Sequence, residues 1–318
     1  MAYRFKRDES VAHAIRRIAR DELDSVVEQL GQAQNPKRDE AIHEARKSVK
    51  KLRALLRLVE PELGAVYRAE TQLLRSVGRT LSELRDAGSV IESLDKLQQK
   101  FANRLHKPVI NSVRRGLEVS KKQLEERDNV DSKLSGIAKK LKAAGKRVKK
   151  WPISQDGFPA LEPGLEKTFR KGLAAFHQVE KHPSPENYHD WRKRVKDHWY
   201  HIRLLQNIWT EWMRGYETAL RDVETWLGDD HNLVILRERL IAQPDLFGKE
   251  ETTELVLDSV DKYQKELRDN AVSFGKRMYR EKPRQFVKSI RHLWDEWQTQ
   301  PTSLEDMEKA AGKDGAGG

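Results

Sequence analysis

The 318-residue sequence contains no cysteine, so it forms no disulfide bond and offers no thiolate as a nucleophile or metal ligand. It also lacks a run of about 18 apolar residues, the length that a membrane-spanning helix needs. The first residues, MAYRFKRD, lack the apolar segment of a secretory signal. These absences exclude disulfide scaffolds and helical membrane proteins, and they predict a cytoplasmic protein without membrane insertion.

Acidic residues are outnumbered in the sequence. There are 61 Lys and Arg against 50 Asp and Glu, which gives a formal net charge of +11. This excess predicts an anionic partner but does not identify it. The length suits one large domain or two medium domains of roughly 100–200 residues each.

The apolar residues recur at helical spacing. Val11, Ile15 and Ile18 share one face of a predicted helix, and Leu52 and Leu55 repeat the pattern. Alternating apolar and polar stretches, which are typical of strands, are scarce. The pattern therefore predicts an all-α protein with about ten helices.

Proline and glycine suggest a division of the chain. Residues 151–164 contain three prolines and two glycines and are predicted to link two parts. We predict a first helical bundle over residues 8–150 and a second over 165–297. Residues 298–318 turn polar and small, and we predict that they form a disordered tail.

A basic motif occurs in both predicted bundles. Residues 43–50 read HEARKSVK and residues 189–196 read HDWRKRVK, so both contain His-acid-x-Arg-Lys-x-Val-Lys. The match continues to Arg57-Leu58 in the first copy and Arg203-Leu204 in the second, at the same offset. We therefore predict an internal duplication.

The repeated motif places its cations on one side of a helix. At 100° per residue, the polar residues of each copy fall within an arc of roughly 120° and the apolar residues lie opposite. Like charges one turn apart repel, and an ordinary solvated face alternates its signs. The arrangement favours a groove that receives a polyanion. The cations and histidines in the two arcs are His43, Arg46, Lys47, Lys50, Arg53 and Arg57, and His189, Arg192, Lys193, Lys196 and Arg203.

These features resemble the CHAD family, the conserved histidine α-helical domain. The resemblance rests on the two motif copies, on Leu84-Arg85-Asp86 and on the segment FGKRMYREKP at 274–283, and it covers roughly residues 8–297. It implies two related helical bundles with pseudo-twofold symmetry around a basic groove or pore. It also implies binding of inorganic polyphosphate without catalysis. No Glu-x-Glu-x-Lys pattern of an attached triphosphate-tunnel domain is present, which is typical of the free-standing form.

The resemblance also implies a set of ligand-facing residues. Two features depart from the family pattern: Trp199 takes the place of Arg53 in the second copy, and Gly228-Asp229-Asp230 stands where Leu84-Arg85-Asp86 stands in the first. The residues implied to bind polyphosphate are Arg17, Arg20, His43, Arg46, Lys47, Lys50, Arg53, Arg57, Arg170, Lys171, His189, Arg192, Lys193, Lys196, Arg203 and Arg277.

Other functions find less support in the sequence. No Gly-rich phosphate loop, no complete His-Glu-x-x-His zinc motif and no cluster of metal-binding carboxylates inside the basic motif is evident, so we expect no enzyme activity, cofactor or metal. Two alternatives stay open: a basic helical protein that binds nucleic acid, and a structural adaptor whose basic surface is incidental. Other polyanions also remain candidate ligands, and polyphosphate granules remain a candidate location.

Overall fold

The computed structural model describes residues 3–33, 37–84, 86–127, 130–247 and 249–300. Within these ranges the regular structure is helical throughout, with twelve α-helices, two short 3₁₀-helices and no strand. This confirms the predicted all-α class, with two helices more than expected. Arg85 and the tail from residue 301 lie outside the described residues, so the disorder predicted for that tail stays a prediction.

The helices follow one another with short connections. The first seven are α1 (Val11–Gly31), α2 (Arg38–Leu58), α3 (Glu60–Leu63), α4 (Ala65–Glu83), α5 (Asp86–Lys100), α6 (Lys107–Arg127) and α7 (Val130–Val148). The last five are α8 (Glu162–Lys181), α9 (Pro185–Leu204), α10 (Thr210–Ala242), α11 (Glu250–Met278) and α12 (Pro283–Thr299). The 3₁₀-helices cover Phe158–Ala160 and Pro244–Leu246. In the described ranges, no helix combines the length and apolarity that crossing a membrane requires.

The two motif helices, α2 and α9, pack against each other. In α2 the apolar side predicted by the spacing is buried, including Val49, Leu52 and Leu55. In α9 it includes the fully buried Trp191. Helices α1 and α4 flank α2, helices α8 and α10 flank α9, and α7 packs on α1. Because the apolar sides of α2 and α9 are buried in the core, their basic sides are left to face a cavity.

One hydrophobic core extends through most of the molecule. It includes buried residues from Tyr3 to Leu81, from Val130 to Leu227 and from Ala271 to Trp297. The Pro- and Gly-rich segment belongs to it, because its residues Trp151, Phe158 and Leu161 are buried there. A second cluster joins α5 and α6 to α11 and the end of α10.

Hydrogen bonds also join the first part of the chain to α9. The Nε2–H of the buried His201 donates to the Ala54 carbonyl oxygen of α2 at 2.9 Å. The Phe5 amide donates to the Leu204 carbonyl oxygen, also at 2.9 Å. Burial lowers the pKa of His201 to about 4, so its ring is neutral and has one N–H to donate. The first bond joins α9 to α2, and the second joins α9 to the segment before α1.

Candidate anion-binding site

A cavity of about 870 Å³ lies where α2, α4, α5, α9 and α10 meet. We call it the central cavity. Ten of the residues predicted to bind polyphosphate line it: His43, Arg46, Lys47, Lys50, Arg53, Arg57, His189, Arg192, Lys193 and Lys196.

Six predicted site residues lie outside the lining of the central cavity. Arg203 stacks instead on aromatic rings, with its Cζ 5.2 Å from the ring centre of Trp199 and 5.9 Å from that of Tyr3. The others lie on helices that contribute no residue to the lining. They are Arg17 and Arg20 on α1, Arg170 and Lys171 on α8, and Arg277 on α11.

The central cavity also contains residues that the sequence did not single out. Arg75 of α4 and Glu224 of α10 belong to no repeated motif, so no sequence signal marks them. Asp197 does have a signal, because it stands where the first copy has Lys51, a change of sign between the copies. Trp199 lines the cavity and donates its indole N–H to Glu217 at 3.1 Å.

Lys50 and Lys196 occupy equivalent motif positions and line the same cavity. Among the described residues, no carboxylate oxygen lies within 4 Å of the Lys50 ammonium. Burial lowers the pKa of Lys50 well below its ordinary value, and the nearby charges of Lys196 and Arg46 lower it further. The charged form of Lys50 is thus disfavoured until negative charge enters the cavity.

Glu224 is the acid that compensates α9. Its Oε1 lies 3.2 Å from Nη2 of Arg192 and also pairs with the Lys196 ammonium. Burial alone would raise the pKa of Glu224, but the charges of Lys196 and Arg192 outweigh it and hold the pKa below its ordinary value. Glu224 is therefore ionised and occupies the position in which a bound anion would meet these two cations.

A second ion pair connects α2 with α9 in the cavity. Nη1 of Arg57 donates to Oδ1 of Asp197 at 3.0 Å. Burial raises the pKa of Asp197 although Arg57 and Arg194 oppose it. Burial likewise lowers the pKa of Arg53, and the charge of Arg57 adds to this effect. This pair reduces the positive charge at one end of the cavity.

Two histidines are in contact in the cavity. The ring centres of His189 and His231 are 4.1 Å apart. Burial lowers the pKa of His189, with further lowering by Lys193 and Arg192. Burial and the neighbouring His189 lower the pKa of His231 to about 4. Both rings are therefore neutral at pH 7, because protonation would add charge to a site that is already cationic.

The formal charges in the central cavity favour an anion. Among the described residues, ten Lys and Arg and four Asp and Glu line it. Arginine binds phosphate oxygens through two parallel N–H groups, and lysine acts as a mobile point charge. Among the described residues, no group of three or more His, Asp or Glu has an arrangement that would hold a metal ion.

Comparisons with known proteins agree with this architecture. A family model described as the CHAD domain matches residues 17–241. Among solved structures, PptA from Streptomyces chartreusis is similar with a TM-score of 0.53 at 13 % sequence identity, over 92 % of this chain and 100 % of that chain. No curated protein matches the sequence significantly. At this identity the structural likeness concerns the fold alone.

Proposed function

We propose that this chain, which belongs to the CHAD domain family, binds inorganic polyphosphate in the central cavity and does not cleave it. The observation that carries the proposal is that α2 and α9 place matching cations, Lys50 and Lys196 among them, in one cavity. Polyphosphate is a linear polyanion with about one charge per phosphate, so a set of cations contributed by two helices complements it. Release of its counterions adds to the affinity, as for other polyanions.

The state of Lys50 supports an anionic ligand of high charge density. Its pKa is lowered by burial and by the cations Lys196, Arg46 and Arg192. An anion between α2 and α9 raises the pKa of Lys50 again, because its negative charge favours the protonated ammonium and offsets the repulsion among the cations. A single chain of phosphates contacts both lysines at once, whereas a monoanion neutralises only part of the excess charge.

We further propose that the motif helices arose by internal duplication and are related by a pseudo-twofold axis through the cavity. Equivalent residues, separated by 146 positions, line the cavity in pairs: His43 and His189, Arg46 and Arg192, Lys47 and Lys193, Lys50 and Lys196. Three pairs differ in charge, since Arg194 replaces Ser48, Asp197 replaces Lys51 and Trp199 replaces Arg53. The second copy therefore has the lower positive charge.

The binding role without catalysis is supported by how three of the four acids that line the cavity are used. Asp197 pairs with Arg57, Glu224 with Lys196, and Oδ1 of Asp229 lies 2.6 Å from the Lys96 ammonium. A metal-dependent hydrolase needs carboxylates that are available to hold its ions. A protein that holds polyphosphate in this way would act in the cytoplasm and associate with polyphosphate granules.

A competition experiment tests the ligand. Labelled long-chain polyphosphate bound to the purified protein is displaced with unlabelled polyphosphate, tripolyphosphate or DNA of matched charge, at two salt concentrations. We expect long-chain polyphosphate to compete best and its affinity to fall steeply with salt. Equal competition by DNA would contradict polyphosphate specificity in favour of a nucleic-acid role. The absence of saturable binding to any of the three would favour the structural adaptor.

Replacing Glu224 by glutamine is expected to tighten polyphosphate binding by about fivefold, or ~1 kcal/mol. The change removes a carboxylate that competes with phosphate for Lys196 and Arg192. Without ligand, the same variant should unfold at a lower temperature, because two buried cations lose their counter-ion. Isothermal titration calorimetry and thermal unfolding measure the two effects.

The control for this variant is Glu217→Gln on the same helix. Glu217 lies outside the cavity lining, and a glutamine oxygen still accepts from the Trp199 indole. The polyphosphate affinity of Glu217→Gln should equal that of the wild type. If Glu224→Gln weakens binding, Glu224 orients the cations for the ligand instead of competing with it.

Polyphosphate affinity should rise as the pH falls from 8 to 6. Bound phosphate raises the pKa of neighbouring histidines, so the complex takes up protons that the free protein does not. The gain in affinity begins as the pH falls through the raised histidine pKa of the complex. It ends below the histidine pKa of the free protein, which is about 4 for His231. Each proton taken up contributes up to about tenfold per pH unit.

This pH dependence is measured by titration of the wild type and of the double variant His189→Gln/His231→Gln. The double variant should lose the part of the pH dependence that the two histidines supply and keep the part that proton uptake by Lys50 supplies, and it should keep measurable affinity at pH 8. Parallel pH profiles of the two proteins would rule out these histidines as the source.

A further inference from the structure

A second cavity lies beside α1 and the residue that follows α7. It has a volume of about 270 Å³, roughly a third of that of the central cavity. We call it the α1 groove; the residues that line it are His13, Arg16, Arg17, Arg20, Asp21 and Lys149. It shares no lining residue with the central cavity, to which α1 and α7 contribute none. The two cavities are therefore separate surfaces.

The sequence of α1 explains how the groove arises. Arg16 and Arg20 are one turn apart on a helix whose opposite side buries Ile15, Ile18 and Ala19. Packing of α7 on α1 brings the residue after α7, Lys149, to the same place. Cations from two separate elements thus meet in one concavity, and their mutual repulsion is unfavourable without an anion.

Most of the positive charge in the α1 groove has no matching carboxylate. Arg17 is compensated, because its Nε donates to Glu9 at 2.9 Å. Arg16 uses Nη2 to donate to the Trp151 carbonyl oxygen at 2.7 Å, and no carboxylate of the described residues lies within 4 Å of its guanidinium.

Arg20 and Lys149 have still fewer interactions. Both side chains are exposed, and neither makes a hydrogen bond or an ion pair with any described residue. The fold therefore does not need either side chain, and three cations of the groove remain without a counter-ion in the part of the protein that the structure describes.

We propose that the α1 groove is a second anion site, which binds one or two phosphate groups independently of the central cavity. Two guanidinium groups one helical turn apart, with an ammonium from a second element, match the oxygens of a tetrahedral phosphate from several directions. The small volume excludes a long folded chain. The phosphate comes either from a free short anion such as pyrophosphate or from the end of a polyphosphate chain.

The test starts from the variant Lys50→Glu/Lys196→Glu, in which the central cavity is disabled. In this background, pyrophosphate binding is measured by calorimetry with and without Arg20→Glu/Lys149→Glu. Loss of two charge-assisted contacts should weaken binding by about tenfold or more. The control adds Lys139→Glu/Lys140→Glu, which changes the same net charge at exposed positions of α7 outside the groove. With the control substitutions, pyrophosphate affinity should stay within about twofold of that of Lys50→Glu/Lys196→Glu alone.

A second arm measures long-chain polyphosphate with the wild-type central cavity. If only this ligand depends on Arg20 and Lys149, the groove holds the end of a chain; if pyrophosphate depends on them, it holds a free anion. Equal effects of the groove and control variants, or no effect of the groove variant on either ligand, would overturn the proposal. If Lys50→Glu/Lys196→Glu keeps full polyphosphate affinity while pyrophosphate binding still depends on Arg20 and Lys149, the proposed function of the central cavity is rejected and the second anion site is not.

Discussion

The double variant Lys50→Glu/Lys196→Glu will bind long-chain polyphosphate about 1,000-fold more weakly than the wild type. Loss of a half-buried charge contact costs about 2 kcal/mol or more, and two such losses give this factor. Reversal adds repulsion, because two acids then join Glu224 in the cavity. Fluorescence anisotropy at constant salt measures the change.

This variant should keep its helical content at room temperature but unfold at a lower temperature than the wild type, because Lys196→Glu breaks the ion pair with Glu224. Lys50 forms no ion pair with a described residue, and burial together with neighbouring cations already disfavours its charge. Far-ultraviolet circular dichroism should therefore be unchanged. The control Lys139→Glu/Lys140→Glu has the same net charge and should lose less than about tenfold. Similar losses in both variants would show that overall charge, and not the central cavity, determines binding.

The substitution Gly164→Ala will destabilise the protein by about 3 kcal/mol. Gly164 lies in the first turn of α8, against the end of α2. A Cβ atom there would overlap the carbonyl group of Leu58 and lie 2.8 Å from the carbonyl oxygen of Arg57. Backbone atoms cannot turn aside as a side chain does, so α8 or α2 must shift. Urea unfolding measures the loss of free energy.

Gly136→Ala in α7 is the matched control, because it makes the same change in open space. No atom of a neighbouring element lies within 4 Å of the position that the new methyl group would occupy, so alanine only removes the entropy cost of a helical glycine. We expect this variant to be more stable by about 0.5–1 kcal/mol. If Gly164→Ala proves neutral, the approach of α8 to α2 is looser than the structure indicates.

The helical class and much of the central cavity were predictable from sequence. A period of 3.6 residues separates apolar from basic sides, and burial of one side determines where the other faces. For this reason His43, Arg46 and Lys50, with their second-copy equivalents, line one cavity. The repetition of the motif was what made a run of charges informative.

The remaining site residues depend on tertiary packing. Arg203 shares the basic arc of α9 and occupies the motif position of Arg57, which lines the cavity, but the rings of Tyr3, Trp199 and Tyr200 surround its guanidinium. A wheel projection does not show which neighbouring side chains hold a cation away from the cavity. Glu224 reaches the cavity only because α10 packs beside α9. The orientation of one helix relative to another has no local sequence signal.

The segment between α7 and α8 has a mechanical consequence for ligand entry. Its composition is typical of a flexible hinge, yet Trp151, Phe158 and Leu161 are buried in the common core. Rotation about this joint would expose those side chains to water, at a cost of about 1.5–3 kcal/mol for each large one. The buried segment therefore opposes a hinge motion that would close the two sides of the central cavity around a ligand. On the proposed function, polyphosphate would enter the cavity without a closing step, and its rate of entry would be governed by electrostatic attraction.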